Sequence, residues 1–439
     1  MNPLLRCLSA LPAALAAALV AIAVVATVAA LPARATPAPL LSLDQAVERA
    51  LDHAPLLDAA DARIDAASAT RIAAGRLPDP ELSLAAQNLP IEGDDAFRFS
   101  AERMTQRRVG LMQRFPSGAR RAAERDAADS RIRVAEADYR LRRQQLRLVT
   151  AQAWIDWWAA ARQLALLREL EPPYAALVSA AEARVAGGGA VSAALRARLA
   201  LTHLQQRQRD ADVNVDAARA RLAQWSGDIG NVRPDDLPEL PAPDPVQLRR
   251  ELPQRTELAP LRAQQTLDDS DLRLADAARR PDWSLGLAYG DRDPAFGDLL
   301  SLEVRVGLPL FTGSRQDALI AAARERQRAT DAELAQRRRE LDATLEAALA
   351  RWRGADERWR HFQHEHLPLA DAAVDAALAA YRGGGSLGDI LDARRDALEQ
   401  RLAALDAERE RALAWAALAY LDDNNDARDD HASVSGVQP

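Results

Sequence analysis

The 439-residue sequence lacks lysine altogether, has one cysteine (Cys7) and contains only 4% aromatic residues. A single cysteine excludes an internal disulfide framework and a cysteine-based metal site. The formal net charge of −7 argues against a nucleic-acid partner, because such proteins need a basic footprint. The sequence also lacks a nucleophile–base–orienter set, a Gly-rich phosphate loop and an H-E-x-x-H motif. It therefore predicts neither an enzyme nor a cofactor-binding protein.

What is present begins with an export signal. Arg6 is followed by an uncharged stretch, residues 7–33, and Ala33-Arg34-Ala35 matches a signal cleavage site. We expect residues 1–35 to be a cleaved signal peptide. An uncleaved membrane anchor is the alternative, since the stretch is long enough to span a bilayer. No later segment has about eighteen consecutive apolar residues, so any other membrane-spanning segment must be a β-strand.

The remaining sequence is an internal duplication. Three pairs of segments match in the same order, with offsets of 195 to 203 residues. They are 76–85 with 279–288, 109–120 with 306–315, and 187–191 with 383–387. Because chance matches would not stay collinear, we infer two structural repeats, 36–226 and 256–421. The Pro-rich stretch 227–255 is expected to be an extended connector, and the acidic tail 422–439 is expected to be disordered.

Each repeat contains a predicted strand hairpin, at 79–115 and at 281–311. Apolar residues alternate with small or charged ones, most clearly in 283–289 and 300–308. This period is typical of a half-buried soluble hairpin and equally of strands that face lipid. Trp283 and Tyr289 stand at opposite ends of one strand, as interfacial aromatic residues do.

After each hairpin the sequence predicts a long helix, a Gly-rich tip and a return helix. Residues 119–170 contain neither Pro nor Gly, which predicts a helix on the order of 78 Å long. The second long helix is expected at 315–366. Apolar residues recur every seven positions, the period of supercoiled helices.

These elements predict an assembly of several chains. Four strands cannot close a barrel, which needs about eight, whereas three copies would supply twelve. The predicted fold class is mainly α with a membrane β-barrel. Its duplicated unit is a strand hairpin plus a long helical hairpin, and a trimeric twelve-stranded barrel would continue into an α-helical tunnel.

This order of elements, repeated over residues 41–421, resembles the TolC-like outer membrane factors. The most specific stretches are 43–51, 78–82, 113–121 and 381–392. Segments 77–83 and 113–121 are most similar to the outer membrane components of cobalt–zinc–cadmium efflux pumps. The resemblance implies a homotrimeric channel-tunnel in outer membrane lipid that extends into the periplasm. It would passively conduct substrates, heavy-metal cations in that subfamily, from a periplasmic adaptor and an inner-membrane pump of the resistance-nodulation-division type.

The resemblance also implies functional residues at the two tips. The residues that would dock the adaptor are Gly187, Gly188, Gly189 and Val191 in tip one and Gly383, Gly384, Gly385 and Leu387 in tip two. Asp389 and Asp392 match an acidic ring at the closed entrance, where carboxylates favour cations. Tyr381 and Arg382 would form the latch. Tip one has Ala193 in place of Asp389, and the alternative role of Asp389 is to cap the return helix.

Three histidines, His361, His364 and His366, lie beside Glu365 in the second long helix. Imidazole groups bind zinc and copper, but α-helical spacing places His361 and His364 on one face and His366 on another. We therefore predict solvated histidines rather than a metal site, with metal binding as the alternative.

Two other functions remain open from the sequence, a periplasmic adaptor and a coiled-coil scaffold of an export complex. An adaptor would have one helical hairpin flanked by β domains, whereas this sequence has two hairpins. A scaffold would not need the repeated alternating strands.

Overall fold

The computed structural model describes residues 39–100 and 102–421. The predicted signal peptide and acidic tail lie outside the described residues. Within the described residues the helices are α1 (Leu43–Asp52), α2 (Pro55–Ala73), α3 (Gly118–Glu169), α4 (Glu171–Ala186), α5 (Val191–Ser226), α6 (Pro245–Glu251), α7 (Ala259–Ala277), α8 (Gln316–His361), α9 (Leu367–Arg382) and α10 (Leu387–Ala419). The strands are β1 (Leu40–Leu41), β2 (Glu81–Gln87), β3 (Gln106–Phe115), β4 (Arg233–Pro234), β5 (Trp283–Asp291) and β6 (Leu299–Val306).

The first helix begins where the sequence provides a cap. Ser42 Oγ accepts a hydrogen bond from the Gln45 backbone N–H at 3.2 Å, and Gln45 Oε1 accepts one from the Ser42 N–H at 3.2 Å. This reciprocal arrangement satisfies N–H groups that have no partner within the helix. The apolar face of α1 packs against Trp154 and Trp157 of α3, and Trp154 Nε1 donates to the Leu41 carbonyl at 3.0 Å. The N-terminal segment is thereby fixed to the middle of the long helix.

The two predicted strand hairpins join into one sheet of four strands. The order is β2-β3-β5-β6, every pair is antiparallel, and β3 of the first repeat pairs directly with β5 of the second. Val109 stands opposite Tyr289, and Tyr289 stands opposite Leu300. Within the described residues β2 and β6 each pair on one side only. The sheet therefore has two open edges.

The helices form a layer with the same lateral order as the sheet. α2 packs on α3, α3 packs on α7, and α7 packs on α8. Since α2 precedes β2 and α8 follows β6, the outer helices continue from the two edge strands. The predicted mainly-α architecture with a duplicated hairpin unit is confirmed in the described residues.

Both long helices are interrupted, the first within one residue of its predicted end at residue 170 and the second before its predicted end. α3 ends at Glu169 and α4 begins at Glu171, so Pro172 and Pro173 lie in the first turn of α4. Pro is tolerated there because the first N–H groups of a helix have no intrahelical partner. α8 ends at His361 rather than at the predicted residue 366, and a π-helical turn, Phe362–His366, leads directly into α9.

The connector 227–255, expected to be extended, is extended only in part, because it contains a short helix. Its β4 pairs in parallel with β1, and α6 forms near its end. Asp244 explains this helix, because its Oδ1 accepts from the Val246 N–H at 2.8 Å and caps the first turn.

Two ion pairs hold α10 between the long helices. Arg411 Nε donates to Asp356 Oδ1 of α8 at 2.7 Å, and Arg409 Nε donates to Asp156 Oδ1 of α3 at 2.8 Å. Asp356 is buried, and its second oxygen lies 2.8 Å from Arg360 Nη2. Leu421, the last residue that the structure describes, is also held in place, because Arg255 Nη1 donates a hydrogen bond to its carbonyl oxygen at 3.0 Å.

Candidate functional site

The two helical tips have the same backbone geometry. In tip one the N–H of Gly189 bonds to the Arg184 carbonyl at 2.8 Å, and in tip two the N–H of Gly385 bonds to the Ala380 carbonyl at 2.9 Å. A Cβ at Gly189 or at Gly385 would lie 2.9 Å from that same carbonyl oxygen. Because such a contact is too short for a side-chain atom, only glycine fits at this position of either turn.

The central glycine of each tip adopts a left-handed conformation. Gly188 has φ +90° and Gly384 has φ +101°, a region that residues with a Cβ rarely adopt. Gly187 and Gly383 end the preceding helices. The glycine triplets thus produce two equivalent tight turns between antiparallel helices.

The start of the return helix differs between the tips. Ser386 is the N-cap of α10, and its Oγ accepts from the Gly388 N–H at 3.0 Å. Ala190 occupies the equivalent position before α5 and offers no side-chain cap. Asp389 lies in the first turn of α10 and is exposed, so the alternative that Asp389 is the cap was wrong. Its carboxylate is left free to face solvent near the helix N-terminus.

Asp392 lies one turn further along α10. Its Oδ1 is 3.3 Å from Arg395 Nη1, and both side chains are largely exposed. Such an exposed pair is worth at most about 1 kcal/mol. The carboxylate of Asp392 therefore remains accessible, with part of its charge balanced by Arg395.

The two tips pack against each other through an apolar cluster. Leu177 and Ala181 of α4 and Ala194 of α5 meet Leu387 and Ile390 of α10. Leu387 is only 7% exposed, whereas Val191, its counterpart in tip one, is 60% exposed. Of these two expected docking side chains, Val191 is open to a partner and Leu387 supports the contact between the tips.

Tyr381 also bridges the two tips. The guanidinium carbon of Arg184, at the end of α4, lies 4.1 Å from the centre of the Tyr381 ring. A cation over an aromatic face is attracted by the ring quadrupole. Arg382 is exposed beside it. The sequence did not indicate Arg184, because its counterpart in the second repeat is Ala380 and the duplication gives no signal there.

Ionisable groups of both repeats also meet away from the tips. Burial raises the pKa of Tyr174 in α4, and Arg394 of α10 opposes this rise. Burial in turn lowers the pKa of Arg394. The contact between α4 and α10 thus continues beyond the tip as a partly buried polar layer.

A second candidate surface is the four-stranded sheet, which has one strongly apolar face. Twelve large apolar side chains on this face are exposed: Leu82, Leu84, Val109, Leu111, Trp283, Leu285, Leu287, Tyr289, Leu300, Leu302, Val304 and Val306. Phe115 stacks on Trp283 with ring centres 4.2 Å apart. A contiguous apolar patch of this size marks an interaction with a membrane or a partner.

The opposite face of the sheet is polar or small. Ser83, Gly110 and Ala288 lie side by side across three strands. Arg108 Nη2 is 4.0 Å from Glu303 Oε2, and Arg305 also contacts Glu303. Small side chains and charged groups are suited to an aqueous surface. No described helix has the length and apolar content of a membrane span.

The three histidines do not lie as α-helical spacing predicted. The rings of His361 and His366 are neighbours, with centroids 4.8 Å apart, so the expected separation of these two residues was wrong. The π-helical turn, which shifts residues after it, is the cause. In the part of the chain that the structure describes, no group of three or more His, Cys, Asp or Glu side chains is arranged to hold a metal ion.

Comparison with known proteins gives a family match and several structural matches. The family model described as outer membrane efflux protein matches residues 46–228 and 248–422. The two matched segments overlap the two repeats. A search of curated protein sequences gave no match.

The solved structures share the fold at low sequence identity. The transmembrane channel CusC has a TM-score of 0.71 and 20% identity, covering 86% of this chain and 91% of CusC. The CmeC outer membrane channel of Campylobacter jejuni has a TM-score of 0.71 and 15% identity, covering 90% of this chain and 89% of CmeC. The MtrE outer membrane channel of Neisseria gonorrhoeae, in its open state, has a TM-score of 0.68 and 18% identity, covering 86% of this chain and 88% of MtrE. At these identities the likeness concerns the fold.

Proposed function

The chain belongs to the outer membrane efflux protein family, and on this premise we propose that it is the outer membrane channel-tunnel of a tripartite efflux system. It would take substrate from a periplasmic adaptor and an inner-membrane pump and conduct it passively to the exterior. No bond is made or broken by this chain, and the energy would come from the pump.

The observation that carries the proposal is the sheet with two unlike faces and two open edges. Its strands alternate in direction, so β6 of one copy can pair with β2 of the next and keep every pair antiparallel. An even number of strands per chain is what allows such a closure. Three copies give twelve strands, with the apolar face toward lipid and the polar face toward an aqueous lumen.

The helical layer supports the same closure. Because α2 and α8 continue from the edge strands, the rotation that joins two sheets also brings α8 of one copy beside α2 of the next. The free side of α2 carries Ala62, Ala66 and Ala69, all exposed, which would allow close approach of a neighbouring helix. A homotrimer would then form a tunnel of helices below the barrel.

At the far end of the tunnel, the tips are the proposed entrance. The turns at 187–191 and 383–385, which are largely exposed, would dock the adaptor. Asp389 and Asp392 of three copies would form an acidic ring, which would favour cations. Tyr381 and Arg382 would act as the latch, and Arg184 would take part through its contact with Tyr381.

We also propose heavy-metal cations as the substrate and a pump of the resistance-nodulation-division type as the partner. The support is the resemblance of segments 77–83 and 113–121 to metal efflux components, together with the exposed carboxylates at the entrance. Deleting the gene should sensitise cells to cobalt, zinc or cadmium. If the deletion leaves metal tolerance unchanged but increases sensitivity to other compounds, the proposed metal substrate is contradicted and the proposed channel function is not.

The channel itself is tested by mass and by a pair of neighbouring variants. Detergent-solubilised protein from outer membranes should have the mass of three chains and fall to one chain on heating. Leu302→Arg places a charge on the apolar face and should impair membrane assembly, at a cost of about 2–4 kcal/mol near the bilayer centre. Ser301→Arg places the same charge on the polar face and should assemble normally. A water-soluble monomer that tolerates both variants would refute the channel and favour an adaptor or scaffold.

A further inference from the structure

The π-helical turn between α8 and α9 creates a pair of histidines that the sequence does not suggest. In an α-helix, residues five apart point about 140° away from each other. In the turn Phe362–His366 the backbone bonds run from residue i to i+5, as the Leu367 N–H to the Phe362 carbonyl shows. The rings of His361 and His366 therefore stand on the same side, with centroids 4.8 Å apart and planes at 76°.

Each of these rings has an acceptor beside its Nδ1. His366 Nδ1 lies 2.9 Å from Gln400 Oε1, across the packing contact with α10. His361 Nδ1 lies 3.3 Å from Glu365 Oε1. An ionised carboxylate and an amide oxygen can only accept, so both contacts favour the tautomer with the proton on Nδ1. The lone pair of each ring is then on Nε2.

This is the arrangement found around metal-binding histidines, where the second ring nitrogen donates to a carboxylate or carbonyl oxygen. The site is reachable from solvent, since the side chain of His361 is 51% exposed and that of Glu365 is 66% exposed. Two neutral imidazoles are favoured ligands of Zn²⁺, Cu²⁺ and Ni²⁺, and water can complete the coordination.

We propose that His361 and His366 form a two-histidine site for a divalent transition-metal ion, with Glu365 and Gln400 as the outer groups that orient the rings. All four residues belong to one chain, so the site does not depend on the proposed trimer or on channel activity. It lies where the second long helix is interrupted, away from the acidic residues of the tip.

The site is tested with Zn²⁺ and Cu²⁺ alone, on detergent-solubilised full-length protein that carries no histidine tag and has been stripped with a chelator. Calorimetry with Zn²⁺ should show one site per chain, and Cu²⁺ should give an electron paramagnetic resonance signal with two nitrogen ligands. His361→Ala and His366→Ala should each remove this site. Glu365→Gln and Gln400→Leu should weaken binding by about 10–100-fold while keeping two nitrogen ligands.

Three histidines provide matched controls. His364→Ala distinguishes the π-helical pairing from ordinary helical spacing, and it should leave binding unchanged. His53→Ala and His203→Ala should also have no effect, since both residues lie in other helices or their caps. Circular dichroism and particle mass would establish that each variant is folded. No Zn²⁺ binding by the wild type, equal loss in the controls, or loss with His364→Ala but not His366→Ala would each overturn the proposal.

Discussion

Replacing Asp356 by alanine should destabilise the protein far more than breaking a neighbouring ion pair between the same two helices. The Asp356 side chain is 6% exposed and that of its partner Arg411 is 16% exposed. Arg411 also lies over the Trp359 ring, 4.4 Å from its centre. Removing the carboxylate would leave the largely buried Arg411 guanidinium without its hydrogen bond to Asp356, at the contact between α8 and α10.

The size of the effect follows from this burial. Breaking a buried pair costs about 3–5 kcal/mol, because the remaining charge has lost its compensation. Glu408 lies close enough to Arg411 to compensate part of the guanidinium charge. Arg360, which is exposed, also forms an ion pair with Asp356. We therefore expect the lower end, about 3 kcal/mol of the free energy of unfolding. Asp356→Asn keeps the shape of the side chain and should cost less than alanine.

The control pair lies beside it on the same helices. Arg358 Nη1 is 2.6 Å from Glu410 Oε2, but these side chains are 53% and 48% exposed. Glu410→Ala should cost at most about 1 kcal/mol, since exposed pairs are screened by water and salt. Guanidinium unfolding of the detergent-solubilised protein, followed by far-UV circular dichroism, measures both variants. Equal costs for Asp356→Ala and Glu410→Ala would refute the reasoning from burial.

Three further predictions concern the tips and the end of α10. Gly189→Ala should destabilise the turn of tip one by about 1–3 kcal/mol and thereby speed hydrogen exchange there. Gly187→Ala is the control and should not change the exchange rate, because a Cβ at Gly187 would lie at an ordinary 3.5 Å from the Arg184 carbonyl oxygen. Asp389→Asn should lower the cation-to-anion permeability ratio in planar bilayers several-fold, and an unchanged ratio would remove Asp389 from the entrance ring. Burial raises the pKa of Tyr420 to about 12 from 10.0, so the folded state holds this proton more tightly. Stability should therefore fall as pH rises from about 10 to 12, and Tyr420→Phe should lessen that fall in the same unfolding assay; an identical fall in the variant would contradict it.

The elements that the sequence could predict are those with a local physical signature. The alternation in 283–289 and 300–308 predicted both strands of the second hairpin, because period two indicates a β-strand, although β6 ends at Val306 rather than at 308. A serine directly before a segment of helical periodicity is a helix start signal, and Ser42 caps α1. The glycine triplets marked both tips, since only glycine permits the conformation that each turn needs.

The errors lie where tertiary packing decides. A π-helical turn adds one residue to a helical stretch, and the periodicity of residues 361–366 contains no sign of it. The duplication suggested equal roles for Val191 and Leu387, yet only Leu387 is covered, because the tips pack asymmetrically. The contact of Arg184 with Tyr381 joins two repeats and has no local signal at all.

The unequal caps of the two tips affect how an adaptor would assemble on the tunnel. In the proposed threefold ring, tips with Ser386 at the cap would alternate with tips that have Ala190 there. Three chains would present six tips. If one adaptor subunit bound each tip, three docking positions would contain Ser386 and three would contain Ala190. Alternate docking positions would therefore present different side chains beside the turn, a hydroxyl group at Ser386 and a methyl group at Ala190.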